Sequence, residues 1–292
     1  MKSRQDIIAW RKYAAWATDA QVEQDLLLTQ TMVAIFRDPF LSGQVAMRGG
    51  TALHKLHLAP AARNSEDIDL VLVGNRPVAH IERALVRVVE PLLGRPTGRA
   101  LALLTVAARN LAKPSKIRRL TYTYAPTVGP PPEMKIKIEV NFNERQPCYD
   151  LADFSYAPPL PGWNGTVILK SYALDEMLGT KMRALLQRAQ GRDLFDLDRA
   201  CVRHDENLAR GAGPLINPER VVDAFATYMR REGEKVTRSQ YDENLRAKTS
   251  TRSFRTDMTK VLPPGIDYDI DVAAKRIHDV FVARLPDAAI GG

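Results

Sequence analysis

Asp67-Ile68-Asp69-Leu70-Val71-Leu72-Val73, entered from Arg63-Asn64-Ser65-Glu66, decides how this chain is read. The apolar run from Ile68 to Val73 predicts a strand. Side chains two apart on a strand share a face, so Asp67 and Asp69 project together while Ile68, Leu70 and Leu72 point into a core. Neighbouring carboxylates repel, and bare they raise each other's pKa. The pair is either two solvated acids on an edge strand or a seat for a hard cation. Magnesium is usually held by one or two carboxylates plus substrate phosphates.

Upstream, Val45-Ala46-Met47-Arg48 reads as a short strand broken by Gly49-Gly50, with a helical pattern opening near Thr51. Glycines there let the backbone approach a phosphate, and Thr51 can cap the helix or donate its hydroxyl. Alone, Gly-Gly-Thr reads better as a plain turn; in tandem with paired carboxylates it is a much sharper signal. Downstream, Met134-Lys-Ile-Lys-Ile-Glu-Val-Asn-Phe142 alternates without a break, leaving Lys135, Lys137, Glu139 and Asn141 on one face. If this strand neighbours Ile68–Val73, Glu139 becomes a third carboxylate, a ligand in a two-metal site or a base for an attacking hydroxyl. The alternative is an ordinary exposed strand face.

Further along, Lys181, Leu185 and Arg188 share a helix face, and Arg192 and Asp196 form an i, i+4 pair just after Gly191. This segment reads either as an interhelical salt-bridge cluster or as a site where Lys181 binds a triphosphate and Asp193 or Asp196 orients it.

The remaining pattern predicts helices at about 4–17, 19–37 (with Thr18 and Asp19 as candidate caps) and 78–93. Strands are expected near 101–107, 117–124 and 165–169. Helices follow at about 172–189, 192–203, 217–231 and 269–284, separated by a polar stretch reaching 260. The expected architecture is α/β (α+β): a mixed-sheet core with N-terminal helices over 1–165 and a helical domain over 166–292. In a chain of 292 residues, 45% hydrophobic and 26% charged, this is the balance of a globular protein. No stretch reaches the roughly 18 apolar residues of a membrane span, and the N-terminus has no apolar signal core. Two cysteines, Cys148 and Cys201, imply no disulfide framework, so a reducing cytoplasm is expected.

The blocks Met47-Arg-Gly-Gly-Thr-Ala-Leu-His-Lys55, Arg63-Asn-Ser-Glu-Asp-Ile-Asp-Leu70, and Leu174-Asp-Glu-Met-Leu-Gly-Thr-Lys181 through Arg192-Asp-Leu-Phe-Asp-Leu197 resemble the AbiEii-type nucleotidyltransferases. These are toxin halves of bacterial abortive-infection and mycobacterial (MenT-like) toxin–antitoxin pairs, within the DNA polymerase β-like superfamily. The resemblance implies that Gly49, Gly50 and Thr51 hold an NTP triphosphate. It implies that Asp67 and Asp69 bind Mg2+ and that Lys181 and Asp196 are needed for activity. Lys55, Ser65 and Asp193 are expected near the nucleotide. It also implies a polymerase β-like core whose C-terminal domain completes the nucleotide cleft, and a separately encoded antitoxin. Members studied as transferases add nucleotides to the 3′ end of tRNA. Thr51 departs from the serine common in the superfamily, and Glu139 rests on the strand argument.

The net charge of +8 suits a polyanionic acceptor without requiring one. Arg109, Lys113, Lys116, Arg118 and Arg119 cluster with no acid among them. A second basic region from Arg230 to Lys260 is interleaved with Glu232, Glu234, Asp242, Glu243 and Asp257. The expectation is therefore a monomeric, magnesium-dependent transferase moving NMP from an NTP to an RNA 3′-OH with release of pyrophosphate. Its rivals are transfer to a protein or small-molecule hydroxyl, and a non-catalytic binding module of the same fold.

Overall fold

The computed structural model describes residues 3–104 and 115–291. The chain divides into two compact units, one holding residues 3–104, 115–172 and 262–264, the other 173–261 and 265–291.

The first unit is built on strands β1 (Val45–Arg48), β2 (Asp67–Leu72), β3 (Gly98–Leu104), β4 (Ser115–Tyr124), β5 (Met134–Asn141), β6 (Ala152–Tyr156) and β7 (Val167–Ser171). Among the described residues they form a seven-stranded sheet in the order β3-β4-β5-β2-β1-β7-β6. The sheet is mixed: β2 with β5 and β1 with β7 run parallel, and the other neighbours antiparallel. Helices α1 (Arg4–Trp10), α2 (Asp19–Arg37), α3 (Pro39–Ser42), α4 (Gly49–Ala52) and α5 (Val78–Leu93) complete it.

Alternation in the strands decides which face is covered. Met47, Ile68, Leu70, Leu120, Ile136, Ile138 and Val140 are all buried. Helix α2 packs on β2, β5 and β7, and α5 packs on α2 and β4. Thr18 starts α2 with a capping box, its side chain accepting from the Gln21 amide. On the covered face Arg118 pairs with Glu82 of α5 at 3.1 Å. The other face of β2 and β5 carries the polar residues.

Two local expectations needed correction. The first helix stops at Trp10 rather than running to 17, because the chain folds back: Arg11 donates to the Trp16 carbonyl at 3.1 Å, and Trp10 Nε1 to Asp25 at 2.8 Å. Strand β6 was not expected, since Phe154 and Tyr156 favour a strand while Ala152 and Asp153 do not; pairing with β7 at the sheet edge settles it.

The second unit contains α6 (Leu174–Gln187), α7 (Gly191–Ala209), α8 (Pro218–Glu232), α9 (Arg238–Thr249), α10 (Arg252–Thr256) and α11 (Ile270–Val280). A two-stranded ribbon of β8 (Lys235–Val236) and β9 (Ile290–Gly291) joins them. Gly179 brings α6 against α8: a Cβ there would sit 2.7 Å from the Ala224 Cβ and 2.8 Å from the Val221 carbonyl oxygen. Helix α9 lies in the polar stretch, where its burial rests on Tyr241 and Leu245 alone and leaves little periodic signal. Its Lys248 donates to the carbonyls of Leu185 and, at 2.7 Å, Leu186, closing the end of α6. Burial pushes that ammonium down to about 8.

Candidate active site

Strand register assembles a row of four charges on the open face of the sheet. Arg48 on β1 lies opposite Asp69 on β2, Asp69 opposite Glu139 on β5, and Glu139 opposite Arg119 on β4. One step along, Asp67 lies opposite Lys137, and Lys137 opposite Thr121. The neighbour relation on which Glu139 depended is therefore present, in parallel register.

Glu66, Asp67, Glu139 and Glu144 each meet a cation. Lys137 Nζ lies 2.7 Å from Glu66 Oε1 and 3.3 Å from Asp67 Oδ1. Arg119 Nε donates to Glu139 Oε1 at 2.6 Å, and Arg48 pairs with Glu144. Burial raises the Asp67 pKa, with the Asp69 charge adding to it and Lys137 opposing. The Lys137 ammonium is held above its usual range: burial opposes this, but Glu66 and Asp67 outweigh it.

The glycine loop works differently from a bare phosphate cradle. Gly49 has φ of +77°, and a Cβ there would fall 1.9 Å from Asp69 Oδ2. A Cβ on Gly50 would fall 2.3 Å from a terminal nitrogen of Arg63, itself buried. The missing side chains make room for a carboxylate and a guanidinium of the protein itself. Thr51 is not the cap of α4, which begins at Gly49 with Arg48 before it. Its hydroxyl donates to the Asp67 carbonyl at 2.5 Å and lies 2.8 Å from Ser65 Oγ, pinning the loop to the start of β2. Lys55, on a π-helical turn over Leu53–His57, is committed to Asp25 of α2 at 2.8 Å. Asp25 also takes Trp10 Nε1, and its charge outweighs the desolvation of Lys55 to hold that ammonium raised.

In the second unit, Lys181 Nζ reaches Asp193 Oδ1 at 3.0 Å and Asp196 Oδ2 at 2.7 Å. Arg188 grips Asp193 through two bonds, Nε at 2.7 Å and Nη2 at 2.8 Å. Both aspartates are fully buried and Lys181 nearly so. The Asp193 carboxyl is desolvated, yet the two cations hold it below its ordinary range. The expected Arg192–Asp196 pair is replaced: Asp196 takes Lys181, while Arg192 Nε goes to Gln190 at 3.2 Å.

Of the basic cluster, Arg109 and Lys113 lie outside the described residues, and Lys116 is placed on β4 by its backbone. Arg118 and Arg119 are both paired with acids. In the second basic region Arg238 pairs with Asp287, and Arg255 with Asp271 through bonds of 2.9 and 2.7 Å.

Among the described residues no group of three or more His, Cys, Asp or Glu is gathered to hold a metal by itself. Glu139 has the register for a third ligand, but its carboxylate is engaged by Arg119. Asp67 and Asp69 remain a chemically suitable pair: hard oxygens side by side, with a repulsion that a divalent cation relieves. Sequence reasoning missed Arg119, Lys137, Arg63 and Asp25 as partners. Alternation placed Lys137 on the right face, and only register could pair it.

The profile of the nucleotidyl transferase AbiEii toxin, of type IV toxin–antitoxin systems, matches residues 30–276. The chain belongs to the AbiEii family. As an AbiEii member it is a nucleotidyltransferase-type toxin of a type IV system, a class that brings a nucleotide substrate and an antitoxin partner. No curated protein matches the chain by sequence. The AbiEii chain is similar to the nucleotidyltransferase toxin MenT4 from Mycobacterium tuberculosis, with a TM-score of 0.54 at 16% identity, covering 98% of this chain and 91% of that one. At that identity the likeness shows the fold. The JHP933 protein from Helicobacter pylori is more distant, with a TM-score of 0.44 at 16% identity over 90% of this chain and 93% of the other. No helix among the described residues is long and apolar enough to cross a membrane.

Proposed function

We propose that this AbiEii member transfers NMP from an NTP to the 3′-OH of an RNA, with tRNA the acceptor expected from the resemblance. One observation carries the reading: Asp67, Asp69 and Glu139 share one face of β2 and β5, with the Gly49 backbone against Asp69.

Asp67 and Asp69 would hold magnesium. Bound there with the triphosphate, the ion would neutralise charge developing on the attacking and leaving oxygens. Gly49 and Gly50 set how closely the loop meets Asp69 and Arg63, and Thr51 and Ser65 keep it aligned with β2. Glu139 serves as third carboxylate or takes the proton of the acceptor hydroxyl. In-line attack on the α-phosphorus forms the new phosphodiester and releases pyrophosphate. Lys55 acts through Asp25 to position the segment after the loop rather than through the nucleotide. Lys181, Asp193 and Asp196, which the resemblance associates with activity, form a neutralised buried cluster with Arg188, so their first role is to hold the second unit together.

The test is incubation of the full chain with each labelled NTP and total RNA, with magnesium or with EDTA, resolved on a denaturing gel. Labelled RNA that disappears with EDTA and with Asp67→Asn supports the reading. The pairing of Arg118 and Arg119 with acids favours one second reading, in which the acceptor is a protein or small-molecule hydroxyl. Label in those fractions, with none in RNA, would select it.

A further inference from the structure

Glu139 does not stand bare beside Asp69. Arg119 is its register partner on the side away from β2, and the two are joined by a 2.6 Å charge-assisted hydrogen bond. Across the sheet the charges run Arg48, Asp69, Glu139, Arg119, two cations flanking two anions. The Glu139 side chain is 16% exposed and that of Arg119 is 37% exposed, so solvent reaches the guanidinium and screens the pair. Such a bond fixes the carboxylate without making it irreplaceable as a partner.

We propose that Arg119 is a positioning residue that competes with the metal for Glu139. In the metal-free protein the guanidinium holds Glu139 as its counter-ion. A divalent cation seated on Asp67 and Asp69 gains a third carboxylate only as Arg119 yields it. Arg119 thereby sets the concentration of metal at which the carboxylate set closes. This rests on the reading of Asp67 and Asp69 as the metal pair.

The experiment measures Mn2+ affinity of the full chain by electron paramagnetic resonance, without nucleotide, for the wild type and the variants Arg119→Gln, Arg119→Lys, Glu139→Gln, Arg119→Gln/Glu139→Gln and Asp67→Asn. Circular dichroism confirms that each is folded. Arg119→Gln is expected to tighten Mn2+ binding roughly two- to fivefold, the scale of a partly exposed ion pair. Arg119→Lys should fall nearer the wild type, and the gain should vanish in the Glu139→Gln background. A general loss of positive charge would tighten binding in both backgrounds equally, and that result overturns the inference, as does no tightening at all. Loss of binding in Asp67→Asn with no gain in Arg119→Gln removes the inference alone. Full binding by Asp67→Asn removes the metal-site reading together with it.

Discussion

Gly49 and Asp69 claim the same space: a Cβ built on the glycine would lie 1.9 Å from Asp69 Oδ2. At φ of +77° a side chain is also strained there, by about 1–3 kcal/mol. Gly49→Ala must therefore push the Asp69 carboxylate aside. A displacement of that size at a reacting centre lowers turnover about a hundredfold, with thermal stability reduced as well. Nucleotide-transfer kinetics and a melting curve check this. Normal turnover in Gly49→Ala would show that the Asp69 geometry does not matter to the reaction.

Asp67 makes a prediction in pH. Its pKa is raised from the ordinary 3.8 by burial and by Asp69. The folded state thus binds its proton more tightly than the unfolded chain, and stability falls as pH rises through the raised value. An asparagine side chain at this position has no proton to lose. Asp67→Asn should melt with the wild type at a pH below the ordinary carboxylate value and above it at neutral pH. The same variant should lose transferase activity. A neutral-pH melting point at or below that of the wild type would contradict the electrostatic account.

Lys181 concerns the second unit. Removing it takes the Lys181 ammonium from Asp193 and Asp196, both fully buried, while Arg188 still holds Asp193. Breaking a buried pair on one side costs about 3–5 kcal/mol, so Lys181→Ala should melt on the order of 10 °C lower. Adding Asp196→Asn should restore part of that loss, because the double variant buries one negative charge fewer. If Lys181→Ala melts like the wild type while its nucleotide affinity falls, the ammonium serves the nucleotide instead.

For RNA, the ion pairs divide the basic cluster. Arg118 is spent on Glu82, so Arg118→Gln should leave the salt dependence of RNA binding unchanged. Arg109 and Lys113 lie outside the described residues; if they meet phosphates, each substitution flattens the log–log slope by about 0.7–0.9. Wild-type slopes in all three variants would remove Arg109, Lys113 and Arg118 from the RNA path.

The sequence exposed those features whose signal is local and periodic. Helices α2 and α5 lie where their patterns placed them, since Thr18 announces one start and strong amphipathicity marks the other. The alternation of β5 put Lys137 and Glu139 on one face correctly. What the pattern lacked was register, which depends on the whole sheet. That is why Lys137 and Arg119 went unseen as partners of Asp67 and Glu139. The partner of Lys55 shows a second limit: the resemblance put Lys55 near the nucleotide, and only the packing of α2 shows that Asp25 pairs with it.

The parallel pairing of β2 with β5 has a consequence for when the proposed site can form during synthesis. Lys137 and Asp67 meet across 70 residues of chain, and β5 must enter between β2 and β4 to bring Glu139 beside Asp69. Contacts of such separation close only after a long loop has surrendered its entropy. A growing polypeptide that has already released Asp67 and Asp69 from the ribosome therefore carries the aspartates without their neighbour. The carboxylate set proposed for the metal cannot form until the chain has been translated past Asn141.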